Sequence, residues 1–192
     1  MKPTDTKPGT QFNCQSVNTQ VLGLLLEKVT GHRLNQYTEE KLWKKIGAQS
    51  GAFFYEAKSQ SDICAFACFN ATIRDYGRVG LMMMRGRELG SERVVPGSWV
   101  YESTNAGAAF LKPGALGEMG GQMGNGYQLW IAPGEDGAFG AIGIYGQSIY
   151  VDPKLHVVIV QASACPHPEG GGPDFYEESG LFHTMIAHSF HH

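Results

Sequence analysis

The chain has 192 residues and a net charge of −3, with 42% apolar and 17% charged residues. That length and balance fit one folded domain with a sizeable core and exclude a disordered polyelectrolyte. The mild acidity points away from nucleic acid and anionic membrane surfaces as partners.

Residues 1–11 are expected to be loop. Ser16 or Asn18 is placed to cap a helix reaching about Thr30, because a short polar side chain accepts the free N–H groups of a first turn. Val21, Leu22, Leu24, Leu25, Leu26 and Val29 make that helix apolar on most of its surface, so deep burial is expected. Gly31 is a fitting stop. A second helix is expected over 34–45, with Leu34, Tyr37, Leu42 and Ile46 inward. Residues 51–70 read as irregular or short strand. Thr72 and Asp75 form a capping-box-like start for a helix carrying Ile73, Tyr76, Val79, Gly80, Met83 and Met84. Pro96 opens a short helix through Val100 and Tyr101.

After Gly126 the pattern changes. Segments 127–131, 139–145, 147–151 and 156–162 are rich in β-branched and aromatic residues and read as strands. Asp152-Pro153-Lys154 is a turn between the last two. Asp174 is placed to cap a closing helix with Phe175, Phe182, Ile186 and Phe190 on one face. The expected class is α+β: a helical and loop segment over 1–125, then antiparallel strands and a covering C-terminal helix over 126–192, in a single partial domain. The 26 glycines concentrate in 107–126 and 134–146, which fits long active-site loops.

Cys14, Cys64, Cys68 and Cys165 form no Cys-x-x-Cys pair. A zinc site is therefore not expected, and neither Cys64 nor Cys68 carries a redox motif; reduced thiols are the expectation. His183, His188, His191 and His192 read as a solvated tail rather than a metal site. No cofactor is expected. No signal peptide or membrane span is readable in these residues, and a cytoplasmic location is the default expectation.

Three ordered segments carry a resemblance. The first is Phe12–Gly31, opening with Phe12-Asn13-Cys14-Gln15-Ser16, followed by the helix of Leu34–Gly47. The second is Cys68-Phe69-Asn70-Ala71-Thr72-Ile73-Arg74-Asp75-Tyr76-Gly77-Arg78-Val79-Gly80. The third is Gly126-Tyr127-Gln128-Leu129-Trp130 followed by Gly140-Ala141-Ile142-Gly143-Ile144-Tyr145-Gly146-Gln147-Ser148-Ile149-Tyr150-Val151-Asp152-Pro153. Together they resemble the C-terminal half of the class C β-lactamase, esterase and penicillin-binding family, most of all its branch of 6-aminohexanoate-dimer hydrolases. The resemblance implies a partial β-lactamase/transpeptidase-like fold. It also implies acyl-enzyme chemistry on an ester or amide, in which a Ser-x-x-Lys serine attacks, a Tyr-x-Asn/Ser tyrosine shuttles the proton and backbone N–H groups hold the oxyanion.

This chain departs from that pattern twice. No serine in it has lysine three residues later, so the nucleophile motif is missing. Cys14 stands at the tyrosine position, and a thiol lacks the reach of a phenol ring. Cys14 reads as a half-buried loop cysteine, a weakened relay or a new nucleophile. Ser16 matches the Asn/Ser position, with helix capping as the plain alternative. Ala141-Ile142-Gly143 occupies the place of the family's Lys-Thr-Gly strand without its cation, which argues against a β-lactam carboxylate. The resemblance makes the Ile144 N–H an oxyanion donor, with Gly143 allowing close approach. Tyr127, Trp130 and Tyr145 are candidate walls of an acyl pocket, or plain core. Asn70 either points into the cleft or satisfies loop backbone. The expected partners are a small ester or amide and a complementing N-terminal segment or a second copy, pairing at exposed sheet edges. A non-catalytic relative and a Cys14-dependent hydrolase remain the alternatives.

Overall fold

The structure is a computed structural model and describes residues 7–55, 63–85, 88–89, 92–117, 121–168 and 175–190. Helix α1 spans Ser16–Thr30 and α2 spans Leu34–Thr38, which continues as a π-helical turn over Glu39–Trp43. Two-residue strands β1 (Phe53–Phe54) and β2 (Phe69–Asn70) pair antiparallel before α3 (Ile73–Met84). A second small ribbon, β3 (Glu88–Leu89) with β4 (Glu92–Arg93), precedes α4 (Gly97–Thr104). Five strands then form an antiparallel meander in chain order: β5 (Gly124–Gly126), β6 (Leu129–Ile131), β7 (Phe139–Ile142), β8 (Ser148–Asp152) and β9 (Val157–Gln161). Helix α5 (Phe175–Ser189) closes the described chain. The expected α+β class and its order of elements stand. No helix among the described residues is long and apolar enough to cross a membrane.

Strand alternation sorts the sheet into two faces. Ile149 pairs with Val160 and Val151 with Val158, and these side chains meet α3. A Cβ built on Gly80 would lie 2.5 Å from Val158 Cγ1 and 3.1 Å from Ile149 Cγ2. The helix therefore needs a glycine there to lie flat. Tyr150 and Gln161 point to the other face, where they meet His183 of α5. The core is Trp43, Ile46, Met82, Met83, Val100, Phe139 and Val151, on the α3 side of the sheet.

Asp75 is fully buried and ties this layer together. Its carboxylate accepts from the backbone N–H groups of Gln49 (2.9 Å) and Ser50 (3.1 Å), from Thr72 Oγ1 (2.8 Å) and from Arg78 Nη1 (3.0 Å). These donors, led by the Gln49 N–H, hold its pKa below the usual carboxylate value against the cost of burial. The expected capping box is thus half present. Thr72 accepts from the Asp75 N–H at 3.2 Å, but the Asp75 carboxylate reaches back to the Gln49–Ser50 turn instead of the Thr72 amide.

Two other expectations fail for one reason. Helix α1 was expected to be deeply buried, yet only Gly23 is; Leu25 is 53% exposed and Val29 75%. Helix α5 was expected to cover the sheet with Phe175, Phe182, Ile186 and Phe190 on one face, but Phe182 and Phe190 are exposed, while His183 (4%) and Ala187 (0%) form its inner face. A hydrophobic side chain states only a preference for cover, and the described residues supply none over these faces. Helix α1 also starts from Gln15, with no side-chain cap from Ser16 or Asn18. The cap expected of Asp174 lies outside the described residues.

Candidate active site

The end of β7 builds a constrained backbone turn. The expected strand over 139–145 stops at Ile142, because Tyr145 turns left-handed (φ 61°, ψ 25°) and Gly146 follows at φ 82°. Left-handed backbone costs a tyrosine about 1–2 kcal/mol, so neighbours must hold it. The Tyr145 N–H donates to Pro168 O at 3.0 Å, and the Cys165 N–H donates to Tyr145 O at 3.2 Å. The Gly143 N–H donates to Gln147 O at 2.8 Å. Gly146 is buried so tightly that a Cβ would lie 2.7 Å from Cys165 Sγ and 2.8 Å from Phe175 Cζ.

A side-chain clamp completes this turn. Gln161 Nε2 on β9 donates to Gly146 O at 2.8 Å, and its Oε1 lies 3.1 Å from His183 Nε2. Because the amide oxygen only accepts, His183 carries its proton on Nε2 and donates. Burial lowers the His183 pKa, so the ring is neutral at neutral pH. This corrects the reading of His183 as part of a solvated tail; His191 and His192 lie outside the described residues. The turn leaves Ile144 at its tip, 59% exposed, and its N–H has no hydrogen-bond partner among the described residues. A backbone donor held in place without a partner of its own is what oxyanion stabilisation requires.

The first motif is tethered to the same sheet. The Phe12 ring packs edge-on against Trp130 of β6 with centroids 5.8 Å apart, and Thr19 Oγ1 donates to Gln128 Oε1 at 2.9 Å. Trp130 pairs with Gly140 of β7, four residues before Ile144. Cys14 lies two residues from Phe12, in the segment docked on β6, the strand beside β7. It is exposed rather than half-buried. Neither Cys14 nor Ser16 has a hydrogen-bonding side-chain partner among the described residues.

The remaining candidates divide. Asn70 Nδ2 donates to Cys68 O at 2.8 Å, satisfying loop backbone. Ala141 is half-buried opposite Ile149, on the face covered by α3. Gly143 is extended (φ −105°, ψ 162°) beneath the turn, and Tyr145 is 38% exposed beside it. Tyr127 and Gln128 are not strand; both have positive φ and form the turn between β5 and β6. Tyr127 lines a cleft of about 450 Å³ together with Tyr101, Glu102 and Leu111. Its hydroxyl donates to Glu102 Oε2 at 2.8 Å, which raises its pKa. Sequence reasoning missed Gln161 and His183. The one visible signal was a polar residue ending the apolar run Val157-Val158-Ile159-Val160.

An α+β chain with its first motif leading into a helix, an antiparallel sheet and, at a strand end, a backbone donor without a partner among the described residues has the layout of penicillin-recognising hydrolases. The Beta-lactamase family model matches residues 2–178, and the chain belongs to that family. It is 34% identical over 165 residues to the 6-aminohexanoate-dimer hydrolase of Paenarthrobacter ureafaciens, covering 83% of this chain and 41% of that one. A solved structure from Bacillus anthracis that carries the 6-aminohexanoate-dimer hydrolase name superposes with a TM-score of 0.86 at 28% identity, over 98% of this chain and 47% of that chain. A penicillin-binding protein from Bacillus halodurans shares the fold alone, with a TM-score of 0.66 at 14% identity over 96% of this chain and 59% of its own. The chain thus spans less than half the length of the two 6-aminohexanoate-dimer hydrolase relatives.

Proposed function

We propose that this chain supplies the relay position and one oxyanion donor of a serine hydrolase that opens an ester or amide through an acyl-enzyme, and that the nucleophile comes from a polypeptide bearing Ser-x-x-Lys. One observation carries the reading: the Ile144 N–H has no partner among the described residues at the tip of a turn clamped on three sides, while the Cys14 segment is docked on the adjoining strand through Phe12 and Trp130. A donor held without reorganisation is worth several kcal/mol to an oxyanion. In the reaction, the partner's serine attacks the carbonyl, its lysine takes the proton, and the Ile144 N–H receives the developing negative charge. Cys14 relays that proton poorly. Family membership supports the class of chemistry, and the absence of a cation over 141–143 supports a substrate without a β-lactam carboxylate.

The complementing segment pairs along β9, which bonds only to β8 among the described strands, and covers the apolar outer faces of α1 and α5. A second reading, a non-catalytic binding relative, draws on Cys14, which replaces the phenol ring with a shorter group. A Cys14 nucleophile gains nothing, since no base contacts its thiol among the described residues. Turnover of p-nitrophenyl esters decides between them. The chain alone is inactive, and mixing it with the unmatched remainder of the Paenarthrobacter ureafaciens relative gives activity that Cys14→Tyr raises. Activity of the chain alone, abolished by Cys14→Ser, would refute the proposal.

A further inference from the structure

The two cysteines of the 64–68 loop meet although their sequence spacing carries no redox motif. The Tyr55 N–H donates to Cys68 O, and the Cys64 N–H donates to Tyr55 O, both at 3.2 Å. In an extended residue the N–H and C=O point to the same side. One residue, Tyr55, therefore holds both cysteine backbones on the same edge and closes the loop between them. Cys68 adopts a left-handed φ of 68°, which turns the chain back toward Cys64. The two side chains lie close enough to interact, and the neighbouring Cys64 thiol, then burial, raises the Cys68 pKa. Both are free and half-buried, and the loop tip between them, Phe66 and Ala67, is exposed.

From this geometry we infer that Cys64 and Cys68 form a reversible thiol–disulfide site that takes small disulfides of the glutathione class. The Cys64 thiolate attacks one sulfur of the oxidised disulfide and expels one thiolate. Cys68 then loses its proton to solvent, attacks the Cys64 sulfur of the mixed disulfide and expels the second thiolate. Two protein thiols are oxidised and one small disulfide is reduced to two thiols, so electrons balance. The bond locks the seat of α1. Gln20 donates to Ile63 O and accepts from the Ala65 N–H, each at 2.9 Å. A Cβ on Gly23 would lie 2.5 Å from Ala65 Cβ, so the loop fits directly under that helix.

The test equilibrates the full chain with reduced and oxidised glutathione, quenches with acid, alkylates the remaining thiols and digests with trypsin. Cleavage puts Cys14, the Cys64–Cys68 pair and Cys165 on separate peptides, 1–28, 59–74 and 155–192. The expected result is a 59–74 peptide lighter by two hydrogens, free of glutathione and restored by dithiothreitol. In Cys68→Ser the same peptide keeps glutathione on Cys64, because nothing resolves it. Repeating the equilibration in urea lowers the disulfide constant by roughly tenfold or more, about 30 mV for a two-electron couple. A 59–74 peptide that is doubly alkylated or stably glutathionylated in the wild-type chain overturns the inference. So does a constant unchanged by urea, since the fold would then contribute nothing.

Discussion

Replacing Gly146 with alanine tests the clamped turn most sharply. Two costs add. Left-handed backbone at φ 82° penalises any L-residue by about 1–2 kcal/mol. The new Cβ also lies 2.7 Å from Cys165 Sγ and 2.8 Å from Phe175 Cζ, and overpacking of this kind costs about 1–3 kcal/mol. The expected loss is about 2–5 kcal/mol. Gly31→Ala isolates the first part, because Gly31 has φ 70° and, among the described residues, nothing within 4 Å of its Cβ position; its loss is about 1–2 kcal/mol. Urea unfolding at constant slope measures both. Adding Cys165→Ala to Gly146→Ala opens the space and recovers part of the loss, a coupling that distant sites do not show. Equal losses for Gly146→Ala and Gly31→Ala, within about 0.5 kcal/mol, refute the packing around the turn.

Other consequences follow from the same contacts. Within α3, Gly77→Ala stabilises by about 0.5–1 kcal/mol through helix propensity, since among the described residues its Cβ meets only Val160 Cγ2 at 3.9 Å. Gly80→Ala destabilises in the same unfolding assay, because overlap with Val158 and Ile149 outweighs that gain. His183 has a lowered folded pKa, so the unfolded chain binds its proton first. Stability that is full above about pH 6.5 falls as the pH drops below that value. His183→Gln flattens this part of a stability-versus-pH series, and an unchanged slope counts against burial of a neutral ring. Asp75 also has a lowered folded pKa. Its contribution is present above about pH 4 and lost as the pH falls through the folded value. Asp75→Asn lowers the melting temperature at pH 7 and removes its share of the acid slope; an unaltered melting temperature at pH 7 contradicts the four-donor arrangement.

The fold was legible wherever local chemistry and tertiary environment agree. The Thr72 cap, the Gly31 stop and the Asp152 turn, whose Oδ1 accepts from the Leu155 N–H at 2.8 Å, are written in single side chains. Helix α1 reads as buried because residues such as Leu25 and Val29 are apolar, and α5 reads as a covering helix because Phe175, Phe182, Ile186 and Phe190 share one face. Periodicity reports which face seeks cover, and only the rest of the assembly decides whether cover exists. The site was legible as a resemblance around Cys14 and Ile144, but not as geometry. Nothing local announces that Tyr145 turns left-handed. Hydrogen bonds from 165–168 and from Gln161, distant in sequence, hold it there. The same holds for Cys64 and Cys68, which meet only because Tyr55 gathers both backbones.

The central claim is that the Ile144 N–H stabilises an oxyanion in a shared active site. Proline at 144 removes that donor at the first position of a 3-10 turn, where proline's fixed φ is tolerated. The decisive measurement is the p-nitrophenyl ester hydrolysis rate of the mixture with the Ser-x-x-Lys polypeptide, comparing Ile144→Pro with the wild-type chain at equal folded concentration. The account predicts a rate lower by about 10²–10³-fold. An unchanged rate contradicts it, as does a mixture that stays inactive with both the wild-type chain and Cys14→Tyr.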